Sequence, residues 1–351
     1  MFSLHFPGLD AGKSPIALAQ ACGIAAAGAT SATQPRFAKL FAEAPRLWRA
    51  SSLEESDLVI YPYAYSDSAK TRQIAELARS AGKTCVFFRA SDDPTPAAPP
   101  YGIVYRDSIF ADIQTPQERA MPAFCDDLLR DVGGQVPSRE KQDRPVVGFC
   151  GYVGTAFSRL LYQLTGRTQK ARGLILRHRT LQYLSQDRRI DCRFIRRTQF
   201  WGGAMGRFRR DLQRAKRVYQ EYVDNILGTD YTLCLRGMGN FSFRLYEVLA
   251  AGRIPLFINT RCVLPFQDRI DWHKHCVWIE DSDLPHIGDA LASFHSRISP
   301  IQFRQMQLEN RKLWEEWLSP LSFYRRIVED AVTNGAPSRV NTASVSLPQQ
   351  S

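Results

Sequence analysis

The amino-acid sequence predicts an α/β protein with two doubly wound, Rossmann-like parallel sheets facing each other across a cleft, followed by C-terminal helices. Short apolar runs alternate with longer amphipathic segments over most of the 351 residues, and this alternation is typical of parallel strands joined by helical crossovers. The alternation stops at residues 133–144, where glycine, proline and charged residues replace the apolar period, and then restarts. We therefore expect an N-terminal α/β domain at 1–132, a linker at 133–144 and a second α/β domain at 145–300.

The individual elements follow from the spacing of apolar residues and from β-branched or aromatic enrichment. In the first domain the pattern predicts strands at 57–61, 84–88 and 102–105 and helices at 69–80 and 117–129. In the second domain it predicts strands at 146–149, 191–195, 231–235 and 254–258 and helices at 173–185, 209–226 and 243–251. Residues 301–334 are expected to be helical with a break at Pro320, and the Ser-, Pro- and Gln-rich residues 335–351 to be disordered.

The apolar stretches and the cysteines of the sequence indicate where the protein resides. No stretch reaches the ~20 uncharged apolar residues that span a bilayer, and the segment 15–32 lacks the basic flank of a signal peptide. The eight cysteines form no C-x-x-C pair and most lie in apolar, strand-like runs, which indicates reduced thiols and neither disulfides nor zinc ligands. These features predict a cytoplasmic location, either in bulk or at the inner face of a membrane.

The net charge of +11 raises the question of nucleic-acid binding. The arginines are dispersed, the clusters Arg177-His-Arg179 and Arg209-Arg210 suit solvated helix faces, and no zinc-finger, helix-turn-helix or RNP-like motif accompanies them. A basic protein equally suits anionic small ligands or an anionic membrane surface. We therefore expect no nucleic-acid partner, while a peripheral membrane contact is compatible with the charge.

The most informative segment starts at the third predicted strand of the second domain. That strand would deliver Arg236 to its carboxyl edge, and Gly237 and Gly239 would let the chain turn tightly and leave the backbone open to a ligand. Asn240 or Ser242 could cap the following helix, whose first-turn N–H groups and dipole would then face the same edge.

Two further side chains complete this pattern. Arg244 would lie in the first turns of the helix and Glu247 one turn further on, where a carboxylate can accept hydrogen bonds from ribose hydroxyls. A helix N-terminus beside two arginines, here Arg236 and Arg244, is typical of a diphosphate site. The alternative is a plain β-α-β unit whose arginines make surface ion pairs.

A dinucleotide site of the Rossmann type is a second alternative, because Gly237-Met-Gly239-Asn-Phe-Ser242 approximates G-x-G-x-x-G. However, Ser242 replaces the last glycine and the unit begins late in the chain. The next strand also ends in Asn259, where an NAD site has an acidic residue for the ribose. The sequence does not favour this alternative.

The second domain resembles the exostosin-type glycosyltransferases (glycosyltransferase family 47). The shared pattern is Leu233-Cys-Leu-Arg236-Gly237, then Ser242-Phe-Arg244 with Glu247, then Gly252-Arg-Ile-Pro255. The opening Val147-Gly-Phe-Cys-Gly151-Tyr152 and the run from Leu264 to Glu280 are similar to bacterial-type members. The resemblance covers about residues 145–320.

This resemblance implies a GT-B architecture and an inverting transfer of a sugar from a nucleotide-sugar, most closely a UDP-sugar, to a glycan or glycoconjugate acceptor. It also implies no bound metal and no cofactor beyond the nucleotide-sugar. The donor-binding positions it implies are Arg236, Gly237 and Arg244 at the diphosphate, Asn240 and Ser242 in support, Glu247 at the ribose, and Gly151 and Tyr152 at the border of the donor site. The sequence shows no N-terminal membrane anchor of the kind that animal and plant members carry, which favours the cytoplasmic location.

An inverting transfer needs a group that accepts the proton of the acceptor hydroxyl. Asp92 and Asp93 follow the predicted strand 84–88 at a carboxyl end that would face the cleft, so they are the candidates for this base. The same residues also suit an ordinary turn. His5 and Asp67, at other strand ends, are further candidates.

Other functions fit parts of the same pattern. The strand, helix and Gly-x-x-Pro order is similar to that of fucosyltransferase-like enzymes that use a GDP-sugar, although Arg236-Gly237 and Arg244-x-x-Glu247 favour the exostosin side. A catalytically silent module that binds a nucleotide-sugar or a glycan would retain the pattern as well. A nucleic-acid binder is the fourth alternative.

Overall fold

The computed structural model describes residues 1–10, 12–24, 31–130, 133–164, 168–204 and 211–334. Within these residues the chain forms two parallel sheets, one in each half of the sequence. The predicted α/β class, with two doubly wound sheets and C-terminal helices, is confirmed. The tail 335–351, predicted to be disordered, lies outside the described residues.

The first sheet is made of short, apolar strands. They are β1 (Phe2–His5), β2 (Trp48–Ala50), β3 (Leu58–Ala64), β4 (Cys85–Arg89), β5 (Ile103–Arg106) and β6 (Glu118–Ala120). Their order is β2-β1-β3-β4-β5-β6 and all pairs are parallel. Helices α1 (Ala17–Ala21) and α2 (Ala38–Leu47) pack on one face, and α3 (Ala69–Ser80) packs on the other.

The second sheet has its topological switch point beside its first strand. Its strands are β7 (Val146–Tyr152), β8 (Asp191–Arg197), β9 (Tyr231–Cys234), β10 (Ile254–Asn259) and β11 (Val277–Glu280), in the order β11-β10-β9-β7-β8. Because β8 and β9 lie on opposite sides of β7, a crevice is expected at the carboxyl ends of β7 and β9.

Helices cover both faces of this second sheet. They are α4 (Ala156–Leu164), α5 (Thr168–Gln186), α6 (Leu212–Leu227), α7 (Phe243–Ala250) and α8 (Ile287–Arg297). Helices α5 and α8 share one apolar core, whereas α6 and α7 share the other. Helix α4 packs on α5, so it lies at the edge of the domain, outside the sheet-covering layer.

The C-terminal helices tie the two halves of the molecule together. After α9 (Pro300–Leu313) the chain makes a π-helical turn at Trp314–Leu318, and α10 (Pro320–Asn334) follows the predicted break at Pro320. Helix α10 returns to the first sheet, where Phe323, Tyr324 and Ile327 pack in the core with β1 and β3. In the described part of the chain, no helix is both long and apolar enough to cross a membrane.

One predicted element is wrong. The expected helix at 117–129 is the short strand β6 followed by residues without helix or strand up to position 127. Pro122 disfavours a helix at the residue before it, and Glu118 is held in the sheet because its carboxylate pairs with the buried Arg106 on β5 at 2.5 Å. The polar run that suggested an amphipathic helix therefore contains a buried ion pair.

The carboxyl ends of the two sheets meet through loops. Gly239 N donates to Asp92 Oδ1 at 3.1 Å, and Asn240 N donates to Ser108 Oγ at 2.9 Å. Phe110 also forms an isolated antiparallel bridge with Cys262. The expected arrangement of two domains facing each other is therefore reproduced at this edge.

Candidate functional site

A cavity of about 490 Å³ opens at the carboxyl ends of β7 and β9, at the switch point of the second sheet. Most of the predicted donor-binding residues line it, namely Gly151, Tyr152, Gly237, Ser242, Arg244 and Glu247. It is also lined by side chains that were not expected from the sequence, namely Arg177, Arg197, Tyr222, Phe200, Trp201 and Phe243. The site therefore contains more cations than the sequence indicated.

A larger groove of about 640 Å³ lies between the edge of the first sheet and α10. Its cations Arg119 and Arg269 are accompanied by Asp268 and Asp330, and Arg269 forms an ion pair with Asp330 at 2.5 Å. Opposite charges are thus balanced inside this groove. The smaller cavity, where they are not, is the better candidate for an anionic ligand.

Arg244 is held by hydrogen bonds near the carboxyl ends of two strands, β7 and β9. Its Nη2 donates to the carbonyl oxygen of Cys150 at 2.6 Å and its Nη1 to that of Leu233 at 3.2 Å, while Nε donates to Tyr222 Oη at 3.3 Å. The guanidinium also lies 4.6 Å from the ring centroid of Phe149, a distance that suits a cation–π contact. Helix α7 therefore delivers a rigidly held cation to the switch point.

Arg177 is a second cation in the cavity, which the sequence interpretation assigned to a solvated cluster. Its Nη1 donates to the carbonyl of Tyr152 and its Nη2 to that of Arg236 at 3.4 Å. Its Nε is buried without a partner, and burial followed by repulsion from Arg244 lowers its pKa to about 10. Arg177 thus stays charged at neutral pH with a donor left unused, whereas Arg179 is exposed.

The charges of these two arginines are not neutralised by ion pairs. Within the described residues, Arg177 and Arg244 donate mainly to neutral carbonyl groups, and both lie within 6 Å of the same Phe149 ring. The third cation, Arg197, forms an ion pair with Glu221 at 2.8 Å. A cavity with two uncompensated guanidinium groups attracts anions, and guanidinium geometry matches phosphate oxygens.

Glu247 is the carboxylate inside this cavity. Its Oε2 accepts a short hydrogen bond from Tyr222 Oη. Burial raises the pKa of Glu247 from 4.5 to about 7, although the Tyr222 hydrogen bond and the charge of Arg244 both oppose this shift. At neutral pH the carboxyl is therefore partly protonated, so it offsets only part of the positive charge beside it.

Ser242 and Asn240 do not cap α7 as expected. Ser242 occupies the N-cap position, but its side chain makes no capping bond, and its Oγ is buried without a partner. Asn240 lies outside the cavity, because its Nδ2 donates to the carbonyls of Ile109 and Thr260 and its Oδ1 accepts from Thr260 Oγ1 at 2.6 Å. Asn240 therefore joins the two domains, and the unused hydroxyl at the cavity belongs to Ser242.

Arg236 is buried behind the glycine loop and does not line the cavity. Its Nη2 donates to Gln169 Oε1 and to the carbonyl of Met238, both at 2.9 Å, and its guanidinium lies over the ring of Phe110. Its carbonyl in turn accepts from Arg177. These contacts hold the loop from behind and position Arg177. Of the three arginines that line the cavity, Arg177 and Arg244 are therefore the pair held by carbonyl groups, whereas Arg197 is paired with Glu221.

The glycines of the loop have a different role from the one expected. Neither Gly237 nor Gly239 has a positive φ, so the chain does not need glycine for a left-handed turn here. A Cβ at Gly239 would lie 2.9 Å from Cα of Asp92, whereas one at Gly237 would meet nothing within 4 Å. The close approach of the two domains requires Gly239, and Gly237 leaves open space beside the cavity.

The two candidate bases differ in their surroundings. Asp93 forms an ion pair with Arg89 and accepts from Thr95 N at 2.9 Å, and its pKa is lowered chiefly by hydrogen bonds from Thr95. Asp92 is exposed, and its Oδ1 accepts a hydrogen bond from the backbone amide of Gly239. Asp92 is therefore the carboxylate that reaches the second domain, beside the loop that borders the cavity.

Asp107 is an acidic group that sequence reasoning missed. It follows β5, accepts from Ser91 N at 3.0 Å and is buried, which raises its pKa to about 6. Asp92 comes after β4 and Asp107 comes after β5, so the two residues are brought together by the pairing of these strands. Their proximity could be predicted only from that pairing. The other two candidates are engaged elsewhere: His5 Nδ1 is 3.0 Å from the carbonyl of Ser51, and Asp67 pairs with Arg72.

Within the described residues, no group of three or more His, Cys, Asp or Glu side chains lies close enough together to hold a metal ion. The eight cysteines are free thiols, five of them buried and three partly buried.

Comparison with known proteins finds a family match in the cavity-bearing half of the chain. Residues 156–294 match the family model described as the Exostosin GT47 domain. Exostosin-1 of Drosophila melanogaster is 30% identical over 107 residues, which cover 30% of this chain and 14% of that protein. A probable glucuronosyltransferase of Oryza sativa subsp. japonica is 31% identical over 114 residues, covering 32% of this chain and 27% of that protein. The chain thus spans well under a third of the length of these relatives.

The solved structures that resemble this chain have lower sequence identity to it than these relatives have. The glycosyltransferase from Rickettsia africae ESF-5 is 10% identical, with a TM-score of 0.38 over 95% of this chain and 98% of that one. WaaG, a glycosyltransferase involved in lipopolysaccharide biosynthesis, is 10% identical, with a TM-score of 0.35 over 95% of this chain and 100% of that one. The matched residues 156–294 include the loop from Arg236 to Glu247, so this part of the chain is similar to the Exostosin GT47 domain.

Proposed function

We propose that this protein is an inverting, metal-independent glycosyltransferase that binds a nucleotide-sugar, preferentially a UDP-sugar, in the cavity at the switch point and transfers the sugar to a glycan or glycoconjugate. The observation that carries the proposal is the pair Arg177 and Arg244, whose charges are held by carbonyl groups and left without ion pairs. Two relatives of the exostosin domain are described as a probable glucuronosyltransferase and a probable beta-1,4-xylosyltransferase, and both names denote sugar transfer.

The diphosphate of the donor would lie between the two arginines and the start of α7. The unpartnered Nε of Arg177 and the unpartnered Oγ of Ser242 are donors available to its oxygens. The N-terminal dipole of α7 favours negative charge at the same place. Glu247, with Oε1 not engaged by Tyr222, would accept a hydrogen bond from a ribose hydroxyl.

The chemistry requires stabilisation of the leaving group and activation of the acceptor. As the bond between the anomeric carbon and the diphosphate oxygen breaks, its electron pair moves to that oxygen, and Arg177 and Arg244 stabilise the developing charge. The acceptor oxygen forms the new bond from the opposite face, through an oxocarbenium-like transition state. Its proton passes to a carboxylate of the first domain, and Asp92 is our candidate because it adjoins the glycine loop.

Nucleotide binding tests the anion site directly. Isothermal titration calorimetry of the full chain with UDP and GDP should show binding, with UDP preferred. Arg177→Ala removes a charge-assisted contact of about 1.5–3 kcal/mol, so affinity should fall by about tenfold or more. Arg179→Ala, on an exposed neighbour in the same helix, should leave affinity unchanged. Equal affinity of Arg177→Ala and the wild type for both nucleotides would refute the site.

Donor hydrolysis tests whether the protein is an enzyme and which carboxylate is the base. Release of nucleoside diphosphate from a panel of UDP- and GDP-sugars should identify one donor that is slowly hydrolysed without acceptor. Asp92→Asn should reduce this rate by about 10²–10⁴-fold with unchanged UDP affinity, and Asp93→Asn should act mainly on stability through its Arg89 and Thr95 contacts. No release from any donor would instead indicate a silent binding module.

A further inference from the structure

The positive charge of the chain is concentrated in one stretch, contrary to the dispersed arrangement inferred from the sequence. Residues 156–217 contain 17 of the 46 lysines and arginines but only 3 of the 35 acidic residues, a formal charge of +14. The rest of the chain therefore sums to −3. The excess charge of the protein belongs to the first part of the exostosin domain, from α4 to α6.

Exposed apolar side chains are concentrated in the same region. Of the 17 large hydrophobic residues exposed in the described part of the chain, 11 lie between positions 157 and 243. On α4, Phe157, Leu160 and Leu164 are 74%, 54% and 76% exposed. Their spacing of three and four residues puts them on one face of the helix, while another side of α4 packs on α5.

Three further exposed apolar residues lie at the carboxyl edge of the second sheet. Phe200 follows β8, Leu212 begins α6 and Phe243 begins α7, and all three are exposed. Because the strands are parallel, the chain segments that follow β7, β8 and β9 emerge at one edge, which is also where the cavity opens. We call the six residues Phe157, Leu160, Leu164, Phe200, Leu212 and Phe243 the apolar rim.

Exposed cations border this rim. Arg214, Lys216 and Arg217 are exposed in the first turns of α6 beside Leu212. Arg172 and Arg179 are exposed on α5, the helix on which α4 packs, and Arg196 is exposed on the edge strand β8. A surface that combines exposed aliphatic side chains with cations is complementary to an anionic lipid interface, where acyl chains receive the apolar groups and headgroups attract the charges.

We propose that the apolar rim and its flanking cations dock this protein on the surface of an anionic lipid bilayer, with α4 lying in the plane of the interface. A nucleic acid is less suited to this surface, because the α4 stripe contains leucines, which gain nothing from phosphates and cannot stack on bases. Docking in this orientation places the mouth of the cavity at the lipid surface. Phe200 and Phe243 also line the cavity, but Phe157, Leu160 and Leu164 do not, so the α4 part of the rim can be tested independently of the nucleotide-sugar function.

Vesicle co-sedimentation of the full chain tests the proposal. Binding should be strong to vesicles of phosphatidylcholine with phosphatidylglycerol, absent with phosphatidylcholine alone, and weakened by raised salt. Two variants should each lower partitioning by about tenfold or more: Phe157→Ser with Leu160→Gln and Leu164→Gln, and Arg214→Gln with Lys216→Gln and Arg217→Gln. The matched control Ile301→Gln with Leu308→Gln, at exposed positions of α9, should bind vesicles like the wild type.

The outcomes separate this proposal from its rivals. UDP titration of the α4 variant should give wild-type affinity, which shows that it is folded and keeps the two proposals distinguishable. If that variant fails to fold, the α6 charge variant decides alone. Absence of vesicle binding, equal binding to neutral vesicles, wild-type binding by both variants, or displacement from vesicles by a nucleic-acid duplex would each overturn the proposal.

Discussion

The ionisation of Glu247 should make the stability of the free protein depend on pH in a way that one substitution removes. Below about pH 4.5 the carboxyl is protonated in both the folded and the unfolded chain. Between pH 4.5 and about 7 the unfolded chain releases this proton while the folded chain retains it, since burial raises the pKa of Glu247 to about 7. Rising pH therefore favours unfolding across this window, and the loss is complete above it.

The magnitude follows from the size of the pKa shift. One pKa unit corresponds to about 1.4 kcal/mol, so the change from 4.5 to about 7 amounts to at most about 3–4 kcal/mol of unfolding free energy. Glu247→Gln keeps an acceptor for Tyr222 Oη but has no titrating proton. Urea denaturation from pH 4 to 8 gives the unfolding free energy of both proteins. As the pH rises, the unfolding free energy of the wild type should therefore fall steadily relative to that of the variant.

A second substitution tests the direction of the same effect. The hydroxyl of Tyr222 donates to Glu247 Oε2 and lowers the pKa of that carboxyl. Tyr222→Phe removes this donor, so the pKa of Glu247 should rise further and the loss of stability should extend to higher pH. Other buried acids such as Asp107 contribute equally to all three proteins and cancel in the differences. If the curves of wild type and Glu247→Gln run parallel, the carboxyl is not buried as the structure shows.

Four further substitutions have outcomes set by the packing around the loop. Gly173→Ala places a Cβ 2.2 Å from the carbonyl oxygen of Gly237, so it should lower the unfolding free energy by about 1–3 kcal/mol and weaken UDP binding by displacing the loop. Gly239→Ala should destabilise the protein similarly, through its contact with Asp92, while Gly237→Ala should change the free energy by less than about 0.5 kcal/mol; urea denaturation of all three checks these values. Arg244→Lys keeps the charge but cannot hold two strand-end carbonyls at once, so calorimetry should show weaker UDP binding together with lower stability.

The fold was largely predictable because its strands are short apolar runs and its helices carry a clear apolar period. The helix predicted at 69–80 is α3, with the same bounds, since Ser68 and Thr71 form a capping box. The helix predicted at 117–129 failed for a tertiary reason. The sequence pattern predicts a solvent-exposed side chain for Glu118. In the structure this side chain is buried, and its charge is compensated by Arg106.

The site was predictable to the extent that it is local in sequence. Gly237, Ser242, Arg244 and Glu247 follow one strand, and all four line the cavity. Arg177 was missed because it comes from a helix 59 residues before Arg236. A signal existed, however: Leu174, Leu181 and Leu184 form the buried stripe of α5, and Arg177 has the spacing of that stripe, whereas Arg179 does not.

The hydrogen bonds that strand-end carbonyl groups accept from Arg177 and Arg244 also hold these two arginines in the site. Carbonyl groups at the carboxyl end of a strand project past the sheet and need donors that the ladder does not supply. Here those of Cys150 and Tyr152 on β7 and of Leu233 on β9 accept from Arg244 or Arg177. A carboxylate partner would have held each arginine equally well but would have cancelled its charge. Because carbonyl groups are neutral, two guanidinium groups that repel each other are kept close together, and an anion that enters between them relieves that repulsion without breaking any bond of the fold.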